Sequence, residues 1–159
     1  MTDTDLTMDR AAIEAAIPHR PPFLFVDRVT DRTEESLTSE WTVPADADFF
    51  RGHYPGQPIT PGVLLSEHTF QTAALLISNA LSGFAAEDGV PVLTKIEGAR
   101  FKRMVLPGET VKTTVRVTER LGPAWYMSGK VTCEDKTVLQ IRFVLSASDA
   151  MARVTGDAE

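Results

Sequence analysis

The chain has 159 residues, 43% of them hydrophobic and 24% charged, which fits one globular domain that buries its own core. Its formal net charge of -6 argues against nucleic acid or an anionic membrane as a general partner, because both attract a basic field. The single cysteine, Cys133, excludes an intramolecular disulfide and a thiolate metal cluster; it fits a reducing compartment, so we expect the cytoplasm.

The N-terminal third predicts a short helix and two strands. Residues 8–17 have an amphipathic pattern with apolar side chains on one side, and Pro18 ends the helix. Two runs with strand composition follow, 24–33 and 36–43, joined by a turn at Glu34–Glu35. We expect the two strands to pair with each other.

The next predicted element is the only long helix, from Pro61 to about Leu81. Its residues are apolar or small nearly all round, which is typical of a buried helix. Glu67 is the only charged residue between positions 62 and 86, and the interspersed polar residues argue against a membrane span. Thr60 is the expected N-cap, with Pro61 at the first helical position.

The C-terminal half predicts strands, because apolar and polar residues alternate with a period of two. Gly98 is a candidate bulge within the first of them. The number of predicted strands indicates one antiparallel sheet of five or six strands. The predicted fold class is therefore α+β, with that sheet wrapped around the long helix. The predicted strands are 92–105, 111–117, 125–133 and 137–147. We expect a single domain at 8–149, with a flexible tail at 1–7 and a polar tail at 150–159.

Glu67 and His53 are the candidate catalytic residues. An ionised carboxylate on a buried helix costs several kcal/mol unless it is paired, so Glu67 has a partner or a raised pKa that suits a general acid. His53, in a Pro-Gly turn before the helix, is a natural base. The amides of Gly62 and Val63 at the helix start can receive a developing oxyanion. Taken singly, the histidine and the glutamate also have ordinary structural explanations.

Three segments resemble the 3-hydroxyacyl-[acyl-carrier-protein] dehydratase family of the hot-dog fold. They are IPHRPPFLFVDRV (17–29), GHYPGQPITPGVLLSE (52–67) with Gln71 one turn later, and ARFKRMVLPGE (99–109). The segments occur in the order and at the spacing of that family. The resemblance implies removal of water from a (3R)-hydroxyacyl thioester to give a trans-2-enoyl thioester in fatty-acid biosynthesis.

The resemblance also implies roles for individual residues. His53 and Glu67 correspond to the catalytic pair, with no cofactor and no metal required. The residues assigned to the substrate or the acyl tunnel are Phe49, Phe50, Tyr54 and Gln71. Phe23 and Phe25 are expected in the core or in the tunnel lining, and His19 is expected to be structural.

The resemblance further implies partners. The substrate arrives on acyl carrier protein, which is acidic, so a local basic patch must override the net charge of the chain. The densest basic cluster comprises Lys95, Arg100, Lys102 and Arg103. The family assembles as homodimers or as trimers of dimers, in which His53 of one subunit meets Glu67 of the other.

Two positions depart from the family pattern. Thr60 stands where an apolar residue is common, and its hydroxyl can cap the amides assigned to the oxyanion. His68 follows the acid where a small residue is usual, and we expect it to make a polar contact facing away from the pocket. Either change is compatible with an altered substrate range or a modified task.

Three other functions remain open at this point. A hot-dog thioesterase also uses a carboxylate on this helix, although the intact pair of His53 and Glu67 favours dehydration. A dehydratase that also isomerises the double bond more often carries an aspartate at this helix position. A non-catalytic acyl-binding module keeps the tunnel but need not keep both titratable groups.

Overall fold

The computed structural model describes residues 6–81 and 91–147. The described elements, in chain order, are α1 (Arg10–Ala16), β1 (Arg28–Arg32), β2 (Ser36–Thr42), a 3-10 turn (Asp48–Arg51), α2 (Gly62–Ala80), β3 (Pro91–Phe101), β4 (Thr110–Leu121), β5 (Ala124–Cys133) and β6 (Lys136–Ala147). The six strands form one antiparallel sheet in the order β1-β2-β4-β5-β6-β3. The predicted tails, 1–7 and 150–159, lie mostly or wholly outside the described residues.

The long helix α2 packs across the sheet and contacts β2, β3, β4, β5 and β6. Every side chain from Leu65 to Ser78 is buried, with the exception of Glu67. Gly129 lies in the middle of β5 because a Cβ atom there would overlap the Thr69 side chain of α2. The predicted α+β architecture, an antiparallel sheet around one long buried helix, is confirmed.

Alternation along the C-terminal strands sorts side chains between the core and the outer face of the sheet. Val111, Thr113 and Val115 of β4 are fully buried, and they alternate with outward-facing residues. The turn between β5 and β6 is made by Glu134 and Asp135, whose φ angles of 51° and 62° are typical of a tight hairpin. The irregularity predicted at Gly98 is confirmed, because the register of β3 against β6 shifts between Ile96 and Gly98.

Two strand predictions are too long. The first is 24–33, whereas β1 covers only Arg28–Arg32; the backbone of Phe25 is bonded by side chains of α2 and not by a neighbouring strand. The second is 92–105, whereas β3 ends at Phe101. After that point the chain turns toward the start of α2, where the Val105 carbonyl accepts from the Thr60 amide at 2.8 Å.

Candidate functional site

The start of α2 presents two backbone amides that precede the helical hydrogen bonds. Leu64 and Leu65 both donate to the Pro61 carbonyl, at 3.0 and 3.3 Å, so the amides of Gly62 and Val63 come before the first bonded turn. The aromatic ring of Phe101 covers Gly62, since a Cβ atom at position 62 would lie 3.0 Å from it. This end of the helix therefore carries unsatisfied donors and the positive end of the helix dipole.

Thr60 does not cap these amides, contrary to the expectation from the sequence. Pro61 is the N-cap residue, without a side-chain cap, and Gly62 is the first helical residue. The bond to the Val105 carbonyl holds Thr60 against the segment that follows β3, and its buried hydroxyl has no hydrogen-bond partner among the described residues. The Thr60 hydroxyl therefore does not compete for the amides assigned to the oxyanion.

His53 lies in the turn between the 3-10 turn and α2, half-buried. Its Nδ1 atom is 2.8 Å from the Ile59 carbonyl oxygen, and a carbonyl only accepts, so Nδ1 carries the proton and donates. The Nε2 atom of the neutral ring is then left with a lone pair. Tyr54, in the left-handed region with a φ of 57°, packs its ring against the imidazole with centroids 4.8 Å apart. This geometry leaves the Nε2 lone pair as the acceptor of the ring.

Glu67 lies on the second turn of α2 with 23% of its side chain exposed. Burial raises the pKa of the Glu67 carboxyl, and a hydrogen bond from Gln71, 3.1 Å between Nε2 and Oε1, offsets part of that rise. Its Oε1 also lies 3.7 Å from Nε2 of His19. Burial and the charge of Arg20 lower the pKa of His19, so the two side chains do not form an ion pair near pH 7.

The structure thus brings His19 to the carboxyl, although the sequence suggested only a structural role for it. Its Nδ1 atom is buried and has no partner among the described residues. The sequence around His19 gives no local sign of this contact, because His19 and Glu67 are 48 positions apart. Only the packing of the segment after α1 against α2 places them together.

His53 and Glu67 are not joined within this chain. No hydrogen bond or ion pair links them among residues 6–81 and 91–147, and each has its own separate set of contacts. Gln71 is fully buried, and its amide is bonded to Phe23, Phe25 and Glu67. Its place is therefore behind the carboxyl, and we expect it to hold Glu67 and not to line a tunnel.

An open apolar groove lies beside His53, with a volume of about 840 Å³. Tyr54, Met104 and Leu106 are strongly exposed in it, at 63%, 65% and 49%. Of the predicted tunnel residues only Tyr54 lines this groove, because Phe49 and Phe50 pack together at 4.6 Å and lean on the core. Met104 and Leu106 lie in the segment 99–109 that resembles the family, but neither of them was assigned a site role from the sequence. The groove is lined by Tyr54, Gln57, Pro58, Ile59, Met104, Leu106 and Pro107.

Among the predicted basic residues, Lys95, Arg100 and Lys102 are exposed. Arg103 is more enclosed: it lies 3.6 Å from the Glu134 carboxylate, and its Nη1 atom is buried without a partner among the described residues. Phe25 is in the core, whereas Phe23 is 50% exposed. His68, fully buried, donates from Nδ1 to the Phe25 carbonyl at 2.6 Å, which is a polar contact away from solvent.

Across the part of the chain that the structure describes, no helix is long and apolar enough to cross a membrane. The same residues contain no group of three or more histidine, cysteine, aspartate or glutamate side chains placed to hold a metal ion.

The sequence is similar over most of its length to bacterial dehydratases. It is 37% identical over 143 residues to the 3-hydroxyacyl-[acyl-carrier-protein] dehydratase FabZ of Anaeromyxobacter dehalogenans, covering 89% of this chain and 92% of that protein. It is 39% identical over 138 residues to the FabZ of Granulibacter bethesdensis, covering 86% and 80% of the two chains.

The fold is shared with the dehydratase heterocomplex ApeI:P from Xenorhabdus doucetiae. The TM-score is 0.75 at 12% sequence identity, over 92% of this chain and 97% of that one. This likeness confirms the hot-dog fold predicted from the sequence. The model of the FabA-like domain matches residues 17–142, which include every residue of the site described above. The chain therefore belongs to the FabA-like domain family.

Proposed function

We propose that this protein removes water from (3R)-hydroxyacyl thioesters on acyl carrier protein and releases trans-2-enoyl thioesters for fatty-acid biosynthesis. One observation carries the proposal: the imidazole of His53 has a fixed free nitrogen, and Glu67 has a carboxyl whose pKa is raised. These are a base in the turn before α2 and an acid on the second turn of α2. Relatives that match 89% of the chain are named for this reaction.

The elimination is assigned to these groups as follows. Nε2 of His53 accepts the proton from C2 while the amides of Gly62 and Val63 bond the thioester oxygen. The electrons of the C2–H bond form the C2=C3 double bond, and the C3–O bond breaks. Glu67 gives its proton to the departing hydroxyl, which leaves as water. The protonated His53 and the ionised Glu67 then exchange one proton through water, which restores the starting state.

We further propose that the acyl chain lies along the groove beside Tyr54. The groove is apolar and adjacent to His53, so a bound chain would have its C2 atom near the imidazole. Phe49 and Phe50 support the turn that carries His53, since the His53 amide donates to the Phe49 carbonyl at 3.0 Å. Their role is then to hold the base and not to touch the chain directly.

The active unit is proposed to be a homodimer with shared sites, alone or as a trimer of dimers. Supporting this, β3 is an edge strand whose residues after Pro91 are exposed, including Leu93 at 41%, Ile96 at 49% and Phe101 at 50%. An exposed apolar edge is suited to pairing with a second copy. Because Phe101 packs over Gly62, such pairing would bring the partner close to the helix start.

The test compares the wild type with His53→Ala and Glu67→Gln on 3-hydroxyacyl-carrier-protein substrates of graded chain length. Mass spectrometry follows the loss of water. Each substitution should lower turnover by about 10² to 10⁴-fold, which is typical of a general acid or base, while circular dichroism remains that of the wild type.

Four outcomes would contradict the proposal in whole or in part. Release of a free thiol would indicate a thioesterase, and migration of the double bond would indicate a dehydratase that also isomerises. Binding of acyl thioesters without turnover would indicate a non-catalytic acyl-binding module. Near-normal turnover in either variant would remove the role assigned to that residue.

A further inference from the structure

Residues 23–25 are attached to α2 by side chains. The Phe25 amide donates to Oε1 of Gln71 at 2.8 Å, and the Phe25 carbonyl accepts from Nδ1 of His68 at 2.6 Å. The Phe23 carbonyl accepts from Nε2 of Gln71 at 3.1 Å. His68 and Gln71 lie three residues apart, so they face the same side of the helix, and both are fully buried. Together they hold this irregular segment in one position.

That attachment determines the orientation of the Gln71 amide. The Phe25 N–H needs an acceptor, so the amide oxygen faces it, and the amide nitrogen must point the other way. In this orientation the nitrogen donates to the Phe23 carbonyl and to Oε1 of Glu67, the latter at 3.1 Å. The hydrogen bond that Glu67 receives therefore depends on the position of the Phe25 backbone.

His68 contributes to this arrangement through one atom. Burial lowers the pKa of His68 to about 4, so the ring is neutral near pH 7 and exerts no charge on Glu67. Its ring packs on Trp41 at 5.8 Å, and its buried Nε2 has no partner among the described residues. The Nδ1–H bond to Phe25 is thus its polar contact.

Within this chain, the described groups that face Glu67 from outside α2 are on the segment after α1; in the proposed dimer, His53 of the partner subunit faces Glu67 as well. His19 lies 3.7 Å away and is uncharged near pH 7, as argued above. Arg20, beside it, gives its guanidinium hydrogen bonds to the backbone carbonyls of Glu14, Ile17 and His19. Neither His19 nor Arg20 donates a hydrogen bond to the Glu67 carboxyl in the described contacts. The position of the carboxyl therefore depends on the hydrogen bond from Gln71.

We propose that His68 is a positioning residue for Glu67, acting through the Phe25 backbone and the Gln71 amide. The inference rests on the proposed function, in which Glu67 protonates the leaving hydroxyl. The feature that matters is a donor at the place of Nδ1. Without it, the segment 23–25 shifts, the Gln71 amide loses its fixed orientation, and the Glu67 carboxyl loses both its hydrogen bond and its place.

A matched pair of variants tests this, His68→Asn and His68→Gln. The Asn amide nitrogen occupies nearly the place of Nδ1, whereas the longer Gln side chain carries its donor beyond it. His68→Gln, and His68→Leu as the variant with no donor, should lose kcat on the order of 10- to 100-fold with little change in KM. His68→Asn should retain most of kcat. Should His68→Leu not fold, the Asn and Gln pair still decides the question.

The second readout is the titration of Glu67, followed by ¹³C NMR of glutamate-labelled protein and assigned with Glu67→Gln. Because the Gln71 bond lowers the pKa of Glu67, its loss should raise that pKa in His68→Gln and not in His68→Asn. A purely structural role would lower stability in all variants and leave the Glu67 titration unmoved, which would overturn the inference. Equal kcat losses in Asn and Gln would also overturn it. A wild type that does not dehydrate would instead contradict the proposed function, and the titration would still report on positioning.

Discussion

Burial moves the pKa values of the titratable residues around α2 in directions that suit different roles. Desolvation disfavours the charged form, so it raises the pKa of Glu67 and lowers those of His19 and His68. A carboxyl that stays protonated to higher pH can donate a proton, and the lowered pKa of His19, 3.7 Å from that carboxyl, makes the imidazole a weaker competing base. The local chemistry is therefore set by how deeply each side chain lies, since both histidines and the glutamate belong to the same packed region.

The lowered pKa of His68 predicts that the folding stability of the protein depends on pH. The native state binds its proton only below about pH 4, whereas the unfolded chain binds it below about 6.5, so the unfolded state holds more protons between these values. The contribution of His68 to stability is complete above pH 6.5 and is lost as the pH falls to 4. The loss amounts to at most roughly 3 kcal/mol from the size of that shift.

Urea denaturation at fixed protein concentration, at several values between pH 7 and pH 4, measures this effect. The wild type should lose more unfolding free energy across the range than His68→Asn, in which the titrating group is absent. Parallel pH dependences for the two proteins would show that His68 is not the group responsible.

At the scale of elements, the outer face of the sheet carries a row of positive charge. Four neighbouring strands each contribute one cation to an open groove of about 690 Å³. Strand pairing puts Arg116 and Arg142 on one cross-strand line and Lys130 and Arg100 on the next, so the row is staggered. Because strands are about 4.8 Å apart, the row extends some 14 Å across the four strands. The cations are Arg116 on β4, Lys130 on β5, Arg142 on β6 and Arg100 on β3. The row adjoins the proposed docking cluster through Arg100, so an acidic partner would meet a local charge opposite to the net charge of -6.

Charge reversal tests whether this basic surface docks the carrier protein. Arg100→Glu combined with Lys102→Glu should lower kcat/KM for carrier-bound substrate about tenfold or more, because the attraction between this surface and the acidic carrier protein becomes repulsion. Turnover of a small thioester mimic should change little. Arg103 is left intact because its contact with Glu134 would be broken as well.

The control is Lys112→Glu combined with Lys136→Glu. Both lysines are exposed and lie outside the cluster and the row, and the change in net charge is the same. Equal losses of kcat/KM in the two double variants would show that the effect comes from the change in net charge alone and not from this surface. Equal losses on the carrier substrate and on the mimic would reject docking at this surface.

At the scale of the whole molecule, the proposed base and acid do not touch within one chain. The 1.5 Å rise per helical residue puts Glu67 some 7 to 8 Å along α2 from Gly62. His53 lies before that start and is held by Ile59 and Phe49. A second copy that pairs along β3 would supply the complementary residue, which is why the proposed active unit is the dimer.

Subunit mixing tests the shared site. Inactive His53→Ala and inactive Glu67→Gln chains, denatured and refolded together in equal amounts, should form heterodimers with one intact and one doubly substituted site. Activity should recover to roughly a quarter of wild type, since half of the dimers are mixed and each has one working site of two. Separately refolded variants are the control. No recovery in the mixture would place each site within one chain.

Much of this protein is determined by short-range sequence patterns. Alternation along β4 predicted its buried face, and the apolar surround of Glu67 predicted both a buried helix and a carboxyl in need of a partner. The bulge at Gly98 was likewise predicted from the sequence. These features depend on residues two to four positions apart, which is the range over which backbone preference and side-chain periodicity act.

Only the tertiary structure decided which distant groups meet. The expected strand at 24–33 is shortened because His68 and Gln71 bind the backbone of Phe25, 43 and 46 positions away. The same packing places His19 beside Glu67, although the sequence suggested no such contact. The exposed groove with Met104 and the row of cations across four strands depend in turn on strand order. A side chain's periodicity shows which way it faces, but its partner and its pKa depend on what the folded chain brings to that face, because desolvation and hydrogen bonding are properties of the packed environment.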